Sequence, residues 1–237
     1  MRALRRLIIV LVILFGLFVA ADRIAVRMAE SEAASKLQSS RDLAQKPSVS
    51  IGGFPFLTQL LDSKLDEVKV HANDMAVHGP SGPSVTLETF DADLKGVKVS
   101  SNYSTAVADT ATGTAVISYA SLTAALPNHP TVSYGGDGKV KVSGKVDIPI
   151  LGEQQVSGTA DISVVNGDTI GISNISDLSG LSGIDQAAAS IVTAFLEPQF
   201  QLQGLPTGLK LTQLQAVPDG VSISVTGTNV VLDGDEG

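Results

Sequence analysis

Three histidines, His71, His78 and His129, are the first candidates for metal binding or general base catalysis in this sequence. They form no HExxH motif and no other paired spacing of zinc ligands, and the chain contains no cysteine that could supply a thiolate. His71 and His78 lie in a segment with strand-like alternation, where a regular strand would point them to opposite faces. We therefore interpret the histidines as surface residues and predict neither a metal site nor a cofactor.

Nucleophilic and acid–base catalysis lack a recognisable motif as well. Two glycine-flanked serines, Ser81 and Ser182, do not stand in the G-x-S-x-G pattern of a nucleophile elbow. Asp91 and Asp93 could act as a carboxylate pair, but they alternate with apolar residues and therefore share one face of a predicted strand. We predict that both face water and that the protein is not an enzyme.

Apolar residues are the strongest remaining candidates for a binding site. Residues 51–61, IGGFPFLTQLL, place two of the seven phenylalanines at one predicted strand-to-helix corner. A buried plug of the core and the wall of an apolar groove are both consistent with this composition, because apolar ligands bind in grooves of aliphatic and aromatic side chains. Residues 184–196 predict an Ala-rich helix with an apolar stripe. The predicted contact residues are Phe54, Phe56, Leu57, Leu60, Leu61, Ile191 and Phe195.

The N-terminal segment predicts export from the cytoplasm. Arg2, Arg5 and Arg6 precede residues 7–21, LIIVLVILFGLFVAA, which carry no charge. Two interpretations stay open: a signal peptide cleaved after Ala21, and a membrane anchor that is retained. The length of the apolar run favours the anchor, whose N-terminal end the arginines would keep in the cytoplasm. We predict a location on the periplasmic side of the inner membrane or in the cell envelope, either anchored or secreted.

The rest of the chain is predicted to be rich in antiparallel strands. Apolar and polar residues alternate with the two-residue period of a sheet with one apolar face. Turn-forming segments at 135–138, 166–168 and 218–220 separate such runs and indicate hairpin connections. Changes of phase within the runs indicate bulges, which bend strands and increase their twist. We therefore expect long, curved, antiparallel strands in an α+β fold.

Four helical segments accompany these strands. Residues 22–44 contain neither Gly nor Pro and predict a helix that ends before Pro47. Shorter helices are predicted at 56–61, 118–126 and 184–196, where they could cover the apolar face of the sheet. The predicted organisation is a signal peptide or anchor at 1–21, an amphipathic helix at 22–46 that packs on or leads to the domain, and a single β-rich domain at 47–237.

The charge of the chain limits its partners. Residues 1–21 hold three of the 16 basic residues and none of the 24 acidic ones, so the remainder is more acidic than the formal net charge of −8. An acidic body repels phosphate backbones, which excludes nucleic acid as the expected partner. It also disfavours broad adsorption to anionic membranes, so that any lipid contact should be local and largely apolar.

The segment 51–61 and the following strand around Val68 and Val70 resemble the signature of the LmeA family of actinobacterial phospholipid-binding envelope proteins. This resemblance implies a tubular, BPI-like lipid-binding module in which a long, strongly curved antiparallel sheet is wrapped around helices. It implies phospholipid as the ligand, phosphoinositides among the candidates. It also implies an accessory role in the assembly of lipomannan and lipoarabinomannan, with a membrane glycosyltransferase as a candidate partner.

Two hypotheses from other classes stay open beside lipid binding. The first is a tethered scaffold that stabilises a membrane enzyme without holding lipid, which an N-terminal anchor would favour. The second is an envelope hydrolase, whose only support is a surface rich in hydroxyl and carboxylate groups.

Overall fold

Four helices and eleven strands make up the described part of the chain. The computed structural model describes residues 2–40, 43–77, 85–100, 105–126, 128–148, 152–179, 186–201 and 205–233. The helices are α1 (Arg2–Ser40), α2 (Phe56–Leu61), α3 (Tyr119–Ala125) and α4 (Gln186–Leu196). The strands are β1 (Ser48–Gly52), β2 (Lys64–Val77), β3 (Val85–Val99), β4 (Thr105–Ser118), β5 (Thr131–Gly136), β6 (Lys139–Ile148), β7 (Gly152–Val165), β8 (Thr169–Ser179), β9 (Gln199–Gln201), β10 (Leu209–Val217) and β11 (Gly220–Asp233).

The larger sheet has six strands in the order β1-β2-β3-β4-β11-β10, and all neighbouring pairs are antiparallel. Four of these pairs join strands that follow one another along the chain. The fifth joins β4 to the C-terminal strand β11, from Thr105 opposite Asp233 to Ser118 opposite Gly220. The smaller sheet is therefore formed by the part of the chain between β4 and β10, and the chain returns to the larger sheet at β10.

The smaller sheet has five antiparallel strands in the order β5-β6-β7-β8-β9. The three predicted hairpin connections are confirmed: they link β5 to β6, β7 to β8 and β10 to β11. Asp137 and Asn166 take left-handed backbone conformations in the first two turns, with φ angles of 50° and 54°. Asp and Asn tolerate this conformation better than other side chains do, which explains their presence there.

The main hydrophobic core lies between the two sheets. Val140 and Val156 of the smaller sheet are fully buried, and Ile117 and Val221 of the larger sheet belong to the same cluster. Helix α3 adds Leu122, and it begins where the Ser118 hydroxyl accepts a hydrogen bond from the backbone N–H of Ser121. Such apolar burial, at about 25 cal/mol per Å², is the main favourable contribution to folding.

A tyrosine joins the first turn of α3 to the end of β10. The Tyr119 hydroxyl donates a hydrogen bond of 2.7 Å to the backbone carbonyl of Val217. Burial, with smaller contributions from Tyr134 and Asp219, raises the pKa of Tyr119 to about 12. The phenol therefore stays protonated and keeps donating at neutral pH.

A second, smaller hydrophobic cluster lies at the other end of the larger sheet, and we call it the β2-start cluster. Its buried members are Val97, Ala108, Ala111 and Val230. Leu65, at the start of β2, packs against them, and the backbone N–H of Val99 donates to the carbonyl of Ser63 just before that strand. The larger sheet thus packs against the smaller one at one end and carries its own apolar cluster at the other.

The predicted helices at 56–61 and 118–126 are confirmed as α2 and α3. The predicted helix at 184–196 is confirmed from Gln186 onward, since 184 and 185 lie outside the described residues. Helix α1 runs without a break from Arg2 to Ser40, through the predicted boundary at Ala21. Among the described residues it is the one helix long and apolar enough to cross a membrane.

The β-rich α+β class, the antiparallel strands and the long apolar N-terminal helix are confirmed. The strands form two sheets, and neither described sheet closes on itself. A tubular module with one strongly curved sheet wrapped around helices stays a prediction. The division into segments 1–21, 22–46 and 47–237 also stays a prediction.

Candidate functional site

Helix α1 is fastened to the corner formed by residues 51–61. The side chain of Asp22 is fully buried, and its carboxylate accepts a hydrogen bond of 2.9 Å from the backbone N–H of Leu57. The guanidinium of Arg23 donates to the same carboxylate at 2.6 Å. A charged acceptor strengthens both bonds, and together they satisfy a buried carboxylate that would otherwise be costly.

Further contacts fix the direction in which α1 passes the corner. The Glu30 carboxylate accepts a hydrogen bond of 2.8 Å from the backbone N–H of Ile51. The guanidinium of Arg23 lies 5.3 Å from the centre of the Phe54 ring, which is the geometry of a cation–π contact. From Asp22 to Glu30 the helix therefore runs antiparallel to the chain that leads from Ile51 to Leu57.

A buried glutamine holds the two sides of the corner together. The side-chain amide of Gln59 donates to the carbonyl of Gly52 and accepts from the backbone N–H of Asp66 at 2.8 Å. Gly53 has a φ of 89°, and a Cβ there would come within 2.5 Å of the Asp66 and Gln59 side chains. Only glycine suits that backbone conformation and that space, which explains the glycine at position 53.

The predicted contact residues of the corner differ sharply in exposure. Phe56 is only 3% exposed and belongs to a helix that packs on α1 and β2, and Leu57 is half-buried next to it. Phe54, Leu60 and Leu61 are 52%, 43% and 85% exposed. The corner is thus both a core plug and an exposed apolar surface, carried by different residues. Their contact with lipid stays a prediction.

The two remaining predicted residues lie on a different part of the molecule. Ile191 and Phe195 belong to α4, which packs on β6, β7 and β8 of the smaller sheet, whereas α2 packs on α1 and β2. Both residues line a depression of about 460 Å³ together with Lys145 and Asp147. The structure therefore brings the five corner residues together and places the α4 pair in a separate site.

The larger sheet has one apolar face, built from rungs of side chains that lie opposite one another on neighbouring strands. Four consecutive rungs are Leu65–Val97–Ala108–Val230, Val68–Leu94–Ala111, Val70–Ala92–Gly113–Val225 and Ala72–Phe90–Ala115–Ile223. The first two belong to the β2-start cluster and the last joins the main core. Val70 and Ala92, between the clusters, are half-buried, so the face is least covered at the rung that they share.

The opposite face of the same strands is polar. His71 and Asp91 lie on it with their side chains 2.7 Å apart, and Lys69 and Asp93 occupy the next rung. Together with hydroxyl side chains, and with Val70, Ala92, Gly113 and Val225 of the central rung, they line an open depression of about 600 Å³. Asp91 and Asp93 share this face, as predicted, but only Asp91 is exposed, whereas Asp93 is half-buried.

The other candidates for chemistry form no site in the described chain. His129 is exposed, while His78, Ser81 and Ser182 lie outside the described residues. In the part of the chain that the structure describes, no three His, Asp or Glu side chains are arranged to hold a metal ion.

A cluster of charges lies near the β2-start cluster. The ammonium groups of Lys98 and Lys64 lie 2.9 Å and 3.7 Å from the Asp109 carboxylate. The hydrogen bond from Lys98 is the main reason that the pKa of Asp109 is lower than usual, and the charge of Lys64 acts in the same direction. Asp109 therefore stays ionised and paired at neutral pH.

A family model for LmeA-like phospholipid-binding proteins matches residues 20–226 of the 237-residue chain. The chain belongs to the LmeA-like phospholipid-binding family. The resemblance inferred from the corner sequence is thereby confirmed. No curated protein and no solved structure matches the chain significantly. The matched region of this LmeA-like protein begins just before Asp22, so it includes the docked part of α1 and the whole corner.

Sequence reasoning missed the polar residues that assemble the corner of this LmeA-like protein. Asp22, Glu30 and Gln59 each accept a hydrogen bond from a backbone N–H group across the corner. One signal was present for Asp22, which is the first acidic residue after the apolar run. No sequence signal marked Glu30 or Gln59. Glutamate is common on exposed helix surfaces, and the sequence around Gln59 did not distinguish a buried position from an exposed one.

The placement of α4 in this family member can be tested at Gly144. A Cβ at Gly144 would lie 2.6 Å from Cζ of Phe195, so Gly144→Ala should lower the free energy of unfolding by about 1–3 kcal/mol through overpacking. Gly144→Ala combined with Phe195→Ala should cost less than the two single changes added together, because the truncated ring removes the clash. Chemical denaturation of the four proteins measures this coupling. Strictly additive losses would show that the two residues do not touch.

Proposed function

We propose that this protein is an anchored phospholipid-binding protein of the cell envelope that performs no catalysis of its own. Acyl chains lie on the apolar face of the larger sheet, and the rung of Val70 and Ala92 is the centre of the contact. The observation that carries this proposal is the half-buried apolar rung between two hydrophobic clusters, in a chain of a phospholipid-binding family.

The position of that face relative to α1 supports the proposal. The β2-start cluster lies at the end of the larger sheet where α2 and the corner are found, and the corner is fastened to α1 at Asp22. If residues 3–21 remain in a membrane, this end of the sheet faces the bilayer. A lipid leaving the bilayer then approaches the sheet from the end of the β2-start cluster, and the central rung is the part of the apolar face that is least covered.

The proposed role in the cell follows from the family resemblance. We infer that the protein works on the periplasmic side of the membrane as an accessory factor in the assembly or maintenance of envelope glycolipids such as lipomannan and lipoarabinomannan. Phosphoinositide is a candidate ligand, and a membrane glycosyltransferase is a candidate partner.

The direct test is native mass spectrometry of the full-length protein purified from its own membranes. We expect a mass increase that corresponds to one co-purified phospholipid, and fragmentation of the complex identifies its head group. A protein that is free of lipid and takes up none from liposomes would contradict the proposal.

The tight docking of α1 onto the domain also favours a second function, that of a tethered scaffold. A rigid anchor holds the domain beside enzymes in the same membrane and raises its local concentration there. Crosslinking in intact membranes separates the two functions. One dominant protein partner, with no lipid in the native mass spectrum, would favour the scaffold.

A further inference from the structure

We propose that the exposed apolar part of the corner inserts into the outer surface of the same bilayer that holds α1. We call Phe54, Leu60 and Leu61 the apolar tip. The tip would be a second membrane contact beside the anchor, and its ligand is the lipid surface itself. This inference rests on the proposed anchor, but it does not require that the domain binds a lipid on its sheet.

The first argument is the concentration of exposed apolar side chains at one place. Outside α1, the described large hydrophobic residues with high exposure are the tip residues Phe54, Leu60 and Leu61, together with Tyr134, Leu178 and Ile191. Half of them thus fall within one short corner. Clustered exposed apolar residues mark an interaction surface, whereas isolated ones are ordinary.

The second argument is the depth at which α1 leaves the membrane. Residues 3–21 form nineteen helical positions, which span about 28 Å at 1.5 Å per residue. This matches the thickness of the hydrocarbon core of a bilayer, about 30 Å. Arg5 and Arg6 can extend their charged ends toward the cytoplasmic headgroups. Asp22 and Arg23 therefore stand at the outer boundary of the hydrocarbon.

The third argument is that the corner is fixed at that depth. The backbone N–H of Leu57 donates a hydrogen bond to the Asp22 carboxylate, and the Phe54 ring lies under the guanidinium of Arg23. Since Ile51 is bonded to Glu30, about 12 Å farther along α1, the strand leading into the corner descends toward the membrane. The corner is consequently held beside the point where α1 leaves the bilayer.

The chemistry of the surroundings fits an interfacial position. Arg23 is half-exposed beside the tip, where its guanidinium can contact lipid phosphate while its other side covers Phe54. The acidic body of the protein argues against broad electrostatic adsorption, so the contact must come from apolar insertion beside the anchor. One bilayer can surround the apolar part of α1 and also bury the apolar tip next to it.

The absence of tryptophan from the chain permits a test with single tryptophan reporters. Leu61→Trp places a reporter on the tip, Phe15→Trp places one in the anchor, and Tyr134→Trp places one on an exposed site of the smaller sheet. Full-length variants are reconstituted in phosphatidylcholine vesicles whose acyl chains carry bromine either near the headgroup or near the chain end. Bromine quenches tryptophan only at short range.

We expect Leu61→Trp to show blue-shifted emission, and we expect bromine near the headgroup to quench most of its fluorescence intensity. Phe15→Trp lies roughly 10 Å deeper along α1 and should be quenched best by bromine near the chain end. Tyr134→Trp should keep its emission in both vesicles. The same quenching of Leu61→Trp in an Ala92→Asp background would show that the quencher is the bilayer and not a lipid held on the sheet.

Two results would overturn the inference, and they differ in whether the proposed membrane anchor is retained. If Phe15→Trp is quenched while Leu61→Trp emits as Tyr134→Trp does, the anchor spans the membrane but the tip does not touch it. If neither Phe15→Trp nor Leu61→Trp is quenched, the anchor itself is absent from the bilayer. Lipid binding by the domain is measured separately by mass spectrometry, so its failure cannot be mistaken for either result.

Discussion

Replacing Phe56 with alanine is expected to loosen α1 from the corner and to lower the free energy of unfolding there by about 3–5 kcal/mol. The ring is only 3% exposed, and its helix α2 packs on α1 and β2, so its removal leaves a cavity as well as losing apolar burial. Hydrogen exchange at the backbone N–H groups of Leu57 and Ile51 measures the effect, because these groups bond to Asp22 and Glu30 on α1.

Phe54→Ala is the matched control, since it removes the same side chain two residues earlier. Phe54 is 52% exposed and its ring contacts Arg23, so the change should cost about 0.5–1 kcal/mol, the value of an exposed cation–π contact. Exchange at Leu57 and Ile51 should therefore stay slow in Phe54→Ala. Equally fast exchange in both variants would show that Phe56 is not the plug of the corner.

Replacing Ala92 with aspartate is expected to reduce phospholipid binding by about 100-fold or more. Ala92 lies in the central rung of the apolar face, opposite Val70 and Gly113. An acyl chain on this rung would bury the new carboxylate without a partner, which costs several kcal/mol, and each 1.4 kcal/mol is a factor of about ten in affinity. Titration of the full-length protein with phospholipid in detergent micelles, followed by native mass spectrometry, measures the change.

Thr226→Asp provides the control on the opposite face of the same sheet. Thr226 is exposed among hydroxyl side chains and lies directly opposite Lys210, so a carboxylate there is solvated and faces a positive charge. The variant should therefore bind phospholipid as the unaltered protein does. If Thr226→Asp lost as much affinity as Ala92→Asp, net charge would explain the loss and the apolar face would not be the binding surface.

The sequence predicted the local features of the fold well because each depends on a few neighbouring residues. Alternation with a period of two predicted several of the strands, and segments such as Gly135–Gly138 and Asn166–Asp168 marked hairpins that the structure contains. Pro55 directly precedes the segment of α2, and Pro127 follows the segment of α3 in the sequence. Both helices are present in the structure. The corner sequence was specific enough to indicate the family that the match confirms.

The candidate site was only partly accessible from sequence, because exposure is a property of the assembled molecule. Phe54 and Phe56 have the same side chain and nearly the same neighbours in sequence, yet one is exposed and the other is buried against α1. Their difference arises from the docking of a helix more than thirty residues away, through Asp22 and Leu57. The apolar stripe of their helix made Ile191 and Phe195 equally good candidates for the same site, but that helix packs on the smaller sheet.

The sequence on its own indicated several of the strands, the three hairpin turns, an apolar segment long enough for a membrane helix, and the family. The tertiary structure alone decided that the strands divide into two sheets and that β4 pairs with β11. A two-residue period tells which side chains share a face, but it does not specify the partner strand. That choice depends on burial summed over residues that are distant in sequence, as at Ala108 opposite Val230, and the same long-range packing decides which apolar residues stay exposed.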